Sequence, residues 1–339
     1  MIELRSDTFT QPTSPMLDAM MQAKVGDDVF MEDETVLALE AQTAAYFGMP
    51  AGLFCPSGTM TNQIAIKCHT QPGQEVICDE LSHIYQYEAG GIAFNSGCSV
   101  RLLHGEQGRL TAAQVENAIN PNDIHKAPSS LVSLENTVNR GGGACYNFAE
   151  IERIADVCRR HGLPLHLDGA RLWNALVAKP ETALQYGQVF HSISVCYSKG
   201  MGAPVGSVLL GDEVLVQKAR RIRKVLGGGM RQAGYLAAAC LYALENHLPQ
   251  LAIDHAHAQA TALVLAQQSW VAKVLPVETN IVIFELPEAV AAATVVEQLK
   301  AAGVLVLAMA PQAIRMVFHL GVASEAAAQL NDTIVKLKL

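Results

Sequence analysis

One lysine, Lys199, sits in the run SVCYSKGMGAP (194–204), among small and apolar residues and with no acidic neighbour. A buried, unpaired ammonium is expensive, so such a lysine is either an exposed strand end or a group kept for chemistry. Other runs end on groups that would complement it. LPLHLD (163–168) delivers Asp168, then Gly169, Ala170 and Arg171; EVICDELSH (75–83) delivers His83; SSLVSLENT (129–137) delivers Glu135 and Asn136. A poorly solvated lysine forms a Schiff base with a carbonyl. A carboxylate beside a pyridine nitrogen keeps that nitrogen protonated and the ring electron-accepting. An imidazole supplies a flat surface for such a ring to stack on.

A phosphate seat completes the set. In FCPSGTMTNQIAI (54–66), Ser57 caps a helix opened by Gly58 and Thr59, whose free N–H groups and positive dipole end suit an anion. The same residues also describe an ordinary capped helix. GGGMRQAG (227–234) brings Arg231, with Lys224 just upstream, and equally describes a flexible loop beside the basic run RRIRK. Lysine, aspartate, histidine and phosphate seat together suggest pyridoxal 5'-phosphate. Neither glycine-rich run fits GxGxxG, since Val205 and Gln232 take the last position, so a nicotinamide site lacks its fingerprint.

The elements that must position these groups are legible as alternation. Apolar runs at 75–78, 129–135, 163–168, 191–197 and 205–210 read as buried strands, and the segments 59–68, 111–119, 147–161 and 170–178 between them read as helices. This implies an α/β fold with a mainly parallel sheet between helices, whose ligands collect beyond the carboxyl ends of the strands. GYLAAACLYAL (234–244) reads as a buried helix. After about residue 250 the order changes: a helix (250–269), strands near 273–286, 304–309 and 313–319, a helix at 288–302 and another at 323–337. We therefore expect a large domain, 1–249, and a small C-terminal α+β domain, 250–339.

Composition bounds the partners. With 339 residues and a net charge of −8, the chain does not offer a general nucleic-acid or anionic-membrane surface. The longest apolar stretch is too short to span a bilayer, and MIELRSDTF carries charge where a secretory signal would be apolar. Eight scattered cysteines without CxxC read as reduced, mostly buried thiols of a cytoplasmic protein. His166 and Asp168 form an HxD without a usefully spaced third ligand, so no metal is expected. His69, His104, His247, His255 and His257 read as core or surface residues.

The motifs LRSDT (4–8), VGDDVF (25–30), EDETV (32–36), PSGTMTN (56–62), YEAGG (87–91), SLENT (133–137), LHLDGAR (165–171), SKGMGAPVGS (198–207) and GGGMRQAG (227–234) closely resemble the low-specificity L-threonine aldolases. The likeness runs in order over nearly the whole chain and is looser after residue 240, where RMVFHL (315–320) matches best. It implies the pyridoxal-phosphate-dependent transferase-like fold, fold type I, and reversible retro-aldol cleavage of threonine, allo-threonine and related β-hydroxy-α-amino acids to glycine and an aldehyde. On the same fold, an aminotransferase, a β-eliminating lyase and a cofactor-binding protein without turnover are the alternatives.

The resemblance also assigns roles. Lys199 is similar to the Schiff-base lysine, Asp168 to the partner of the pyridine nitrogen, and His83 to the imidazole stacked on the ring and a candidate base. Gly58 and Thr59 resemble the phosphate ligands, with Lys224 and Arg231 supplied by a neighbouring subunit of a homotetramer. Ser6, Arg171 and Arg315 resemble the substrate-carboxylate clamp, and His125, in NDIHKA, the second histidine near the substrate hydroxyl. His83, His125 or an ordered water would be the base. Two departures bear on substrate preference: Phe30 stands where the family has tyrosine, and RGGGACYNF (140–148) differs from the usual form. Gly200 and Gly202 are expected to relieve crowding where the backbone approaches the ring.

Overall fold

The computed structural model describes residues 1–337. Seven strands form the large sheet: β1 (Ala51–Cys55), β2 (Glu75–Asp79), β3 (Ser99–Leu103), β4 (Ser129–Glu135), β5 (Leu165–Gly169), β6 (Ser192–Cys196) and β7 (Ser207–Gly211). Their spatial order is β1-β7-β6-β5-β4-β2-β3, and β7 runs opposite to the other six. Every residue of β2, β5 and β6 is buried, the burial that helices on both faces impose on a parallel sheet.

Helix α1 (Gly58–His69) lies on the face that carries His166 and Asp168, since positions two apart in a strand share a face. Helix α2 (His83–Gln86) follows β2. Helix α3 (Phe148–His161) starts at its Asn147 cap, ends at Gly162 with φ of 65°, and buries Ile151, Ile154, Ala155 and Cys158 on one side. Helix α4 (Gly234–Asn246) buries Ala237, Ala239, Cys240 and Ala243, small residues that let it press against the helices Ser14–Met21 and Glu34–Phe47.

A second sheet is antiparallel throughout: β8 (Lys273–Val274), β9 (Ile281–Glu285), β10 (Leu307–Ala310) and β11 (Ala313–Val317), in the order β10-β11-β9-β8. Helix α5 (Leu248–Leu265) packs between it and the large body, touching β9 and the helix Leu172–Ala178. The second core joins Val282, Phe284, Val295, Leu299, Met316, Phe318 and Leu330 to Ile2 and Leu4 from the other end of the chain. Ile2–Glu3 indeed pairs in parallel with Val304–Leu305.

The alternation expected from sequence is present, with two additions. β1 (AGLFC) is short and opens on Ala–Gly, and β3 (SVRLL) is a half-exposed edge strand without a continuous apolar run. The 273–286 region resolves into two strands, as does 304–309. The expected 250–339 division includes residues 338–339, which lie outside the described residues.

Candidate active site

The carboxyl ends of β2, β4, β5 and β6 bring His83, Glu135, Asp168 and Lys199 to one edge. Asp168 is buried; its Oδ1 accepts from the Ala170 N–H at 3.1 Å, while Oδ2 has no partner among the described residues. A buried carboxylate oxygen without a donor is costly unless a ligand supplies one. One ring nitrogen of His83, one oxygen of Glu88 and one of Asp168 lie within 4.8 Å of each other.

His83 is held from both ends. Its backbone N–H donates to Glu135 Oε2 at 2.7 Å, and its Nδ1 stands 3.1 Å from Glu88 Oε1. Burial disfavours the imidazolium, but Glu88 and then Asp168 outweigh it, so the His83 pKa is raised. Burial, helped by the Asp168 charge, pushes Glu135 up to about 7. Glu135 Oε1 also accepts from the Asn139 N–H at 2.9 Å.

Lys199 follows β6, with Nζ 3.7 Å from Cys196 Sγ. The helix start lies next to it: a Cβ on Gly58 would fall 2.5 Å from the same sulfur. Ser57 Oγ caps α1 by accepting from the Met60 N–H at 3.2 Å. The N–H groups of Gly58 and Thr59 have no hydrogen-bond partner among the described residues, which makes this turn an anion seat. The small residues around Lys199 answer to protein neighbours. A Cβ on Gly200 would meet Leu251 at 2.9 Å, and Gly202 has φ of +80°, the left-handed region that glycine enters freely.

The two clamp arginines differ. Arg171 donates from Nε and Nη2 to the two oxygens of Asp7, both at 2.7 Å, with side chains 5% and 0% exposed. Ser6, beside Asp7, caps the turn Asp7–Phe9 through its Oγ. Arg315 has no carboxylate partner among the described residues: Nη1 donates to Asn139 Oδ1 at 2.7 Å, Nη2 to the Arg5 carbonyl at 3.2 Å, and buried Nε has none. Burial, then repulsion from Arg171, lowers its pKa to about 10. Arg315 lines a cleft of about 380 Å³ with His83, Tyr87, Asn139 and Arg140.

Three expected residues stand elsewhere. His125 lies on the connection before β4, exposed and hydrogen-bonded to Asp123 at 2.8 Å. That is the amino edge of the sheet, separated from Glu135 by the seven residues of β4, roughly 20 Å at ~3.3 Å per residue. Arg231 is 54% exposed and pairs with Asp27 at 3.0 Å. Lys224 lines a surface cleft with Asp28, Val29, Met31 and Gly229. Phe30 is 70% exposed beside them. Sequence reasoning passed over Asp7, Glu88 and Asn62, although all three lie inside the quoted LRSDT, YEAGG and PSGTMTN motifs, and Asn139, which carried no comparable signal.

The beta-eliminating lyase family matches residues 3–289. A probable low-specificity L-threonine aldolase 2 of Arabidopsis thaliana is 41% identical over 325 residues, covering 94% of this chain and 92% of its own. The low specificity L-threonine aldolase of Escherichia coli O157:H7 is 40% identical over 331 residues, covering 97% of both chains. Among solved structures, the threonine aldolase of Leishmania major superposes with a TM-score of 0.86 over 99% of both chains at 22% identity, a likeness of fold. A chain so similar along almost its whole length, with a lysine, an unpartnered aspartate and an anion seat at one sheet edge, belongs to the low-specificity L-threonine aldolases of the beta-eliminating lyase family.

Proposed function

We propose that this protein reversibly cleaves L-threonine, L-allo-threonine and related β-hydroxy-α-amino acids to glycine and an aldehyde, with pyridoxal 5'-phosphate as cofactor. The observation that carries the proposal is the buried Asp168, whose Oδ2 lacks a donor among the described residues, near His83 and on the same edge as Lys199. A pyridinium N–H fits that oxygen, and the free N–H groups of Gly58 and Thr59 fit a phosphate. Bound through Lys199, the cofactor supplies an electron sink for the pair released from the Cα–Cβ bond.

The chain's own residues do the rest. Arg315, short of a counter-ion, takes the substrate carboxylate, and Arg171, whose Nε and Nη2 hold Asp7, offers Nη1 beside it. Ser6 joins this clamp. Fixing the carboxylate fixes which bond at Cα stands perpendicular to the ring, and that choice selects the bond to break. His83, with Nδ1 turned to Glu88, keeps Nε2 for the β-hydroxyl proton.

A homotetramer whose subunits share sites would put Lys224 and Arg231 on a neighbour's phosphate and bring His125 to a neighbour's hydroxyl pocket. In support, these cations stand apart from their own chain's cleft, among exposed Phe30, Met31 and Val225. The eight free thiols suit a reducing, cytoplasmic compartment. We retain the division into 1–249 and 250–339, with Ile2–Leu4 crossing to the small side. Incubation with L-threonine should release acetaldehyde and glycine in equal amounts. Pyruvate and ammonia from serine would instead indicate β-elimination, and dependence on a keto acid would indicate an aminotransferase.

A further inference from the structure

A chain of side-chain hydrogen bonds runs beneath α1, from the amino edge of the sheet to the site. His69 Nε2 lies 2.9 Å from Ser192 Oγ, which lies 2.8 Å from His166 Nδ1. His166 Nε2 lies 3.2 Å from Asn62 Oδ1, Asn62 Nδ2 donates to Glu88 Oε1 at 2.9 Å, and Glu88 Oε1 meets His83 Nδ1 at 3.1 Å. His166 and Ser192 are fully buried, and Asn62 and Glu88 nearly so.

The proton positions follow from this order. Because Asn62 gives its amide hydrogen to Glu88, its Oδ1 faces His166, and His166 Nε2 must be the donor. Burial, then His69, pulls the His166 pKa down to about 3, so its ring is neutral and Nδ1 accepts from the Ser192 hydroxyl. Ser192 Oγ then accepts from His69 Nε2–H; burial lowers the His69 pKa to about 4, so this ring is neutral too. Glu88 collects Asn62, His83 and, on Oε2, Gln63 at 2.6 Å. Gln63 Oε1 accepts independently from Asn95 at 3.1 Å, whereas Asn62 Oδ1 has His166 as its one hydrogen-bond partner among the described residues.

We infer that His166 is a positioning residue for the reaction: its Nε2–H orients Asn62, which holds Glu88 as a pure acceptor, so that His83 keeps its proton on Nδ1 and presents Nε2 to the substrate. HxD thus reads as two roles on one strand face, Asp168 for the cofactor and His166 for the base. The inference rests on the proposed placement of His83. The charged and titratable groups facing His83 are Glu88, Asp168 of β5, Glu135 of β4, Lys199 after β6, Tyr87, and Arg140 and Arg315 across the cleft. Of these, only Glu88 is tied to His166.

The test compares His166→Gln with His166→Asn in the cofactor-loaded enzyme. A glutamine amide reaches the place of Nε2 and can donate to Asn62; an asparagine amide is too short and can only serve Ser192. His83 protonation is read by nitrogen-15 histidine NMR, and the acid limb of kcat is read in parallel. Losing a donor makes Glu88 hold positive charge on His83 more strongly, so His166→Asn should raise the His83 titration and the acid limb by about half a pH unit or more. His166→Gln should stay at the wild-type value, and KM should change in neither. Asn62→Ala should reproduce the shift, and the double variant Asn62→Ala/His166→Asn should add nothing further. Equal behaviour of the Gln and Asn variants, or additive shifts in the double variant, would overturn the inference. If the His166 variants do not fold, an Asn62→Ala protein with a wild-type His83 titration overturns it alone. The NMR reads His83 whatever it does in the reaction, so a shift without loss of kcat would refute only its role as base.

Discussion

Replacing Asp7 by Asn tests how the arginine pair divides its work. Asp7 and Arg171 form a bidentate pair with both oxygens at 2.7 Å, and Asn280 Nδ2 stands 3.4 Å from Oδ2. Burial works against the Asp7 charge, but Arg171 outweighs it and holds the carboxyl at about 2 against its ordinary 3.8. At ~1.36 kcal/mol per pH unit, that difference stabilises the fold by about 2 kcal/mol. Asparagine keeps the shape and one acceptor but leaves the guanidinium buried without a counter-ion, a loss of about 3–5 kcal/mol in comparable buried pairs. A destabilisation of about 2–4 kcal/mol is expected, seen as a fall of roughly 5 °C in the thermal midpoint. The wild-type advantage should be constant from neutral pH down to about 4, then fade as pH falls through about 2, where Asp7 is protonated in the folded chain as well. Thermal unfolding of both proteins across that range measures it. A loss below about 1 kcal/mol, or an advantage that grows on acidification, would show that Arg171 does not depend on Asp7.

Other substitutions address the site directly. Arg315→Lys removes the planar fork, and should raise KM for threonine about ten- to a hundredfold while changing kcat less; steady-state kinetics decide, and an unchanged KM would place the carboxylate elsewhere. Gly58→Ala puts a Cβ 2.5 Å from Cys196 Sγ, so cofactor affinity, followed by equilibrium dialysis, should fall about tenfold or more as the helix start shifts. Adding Cys196→Ala should recover most of that loss, and failure to recover would deny the steric cause. His83→Ala should lower kcat at least about a hundredfold. His125→Ala chains co-assembled with Lys199→Ala chains should regain activity that neither has alone, since a subunit with Lys199 would meet a neighbour's His125; no recovery would refute the shared site.

What could be read from the sequence was what ends an apolar run. Lys199, Asp168, His83 and Glu135 terminate buried strands, and the parallel order that puts those ends together follows from alternation with helices. Ser57 was legible as a cap for the same local reason. Long-range pairing was not. Asp7 lies 164 positions from Arg171, so the arginine beside Asp168 looked free for substrate when its fork is held by the N-terminal segment. Glu88 and Asn62 act through contacts that no spacing encodes, and nothing in the spacing shows that Gly200 packs beside Leu251. β3 escaped notice because an edge strand that shows Ser99 and Arg101 to solvent needs no continuous apolar pattern.

On the proposed function, this sheet edge breaks a Cα–Cβ bond through Lys199. Simultaneous quantification of acetaldehyde and glycine from L-threonine, by cofactor-loaded wild type and by Lys199→Ala, tests it most directly. Equal amounts of both products are expected from the wild type, with turnover at least about a thousandfold slower from a folded variant. A keto acid in place of acetaldehyde, or a Lys199→Ala enzyme as fast as wild type, would contradict it.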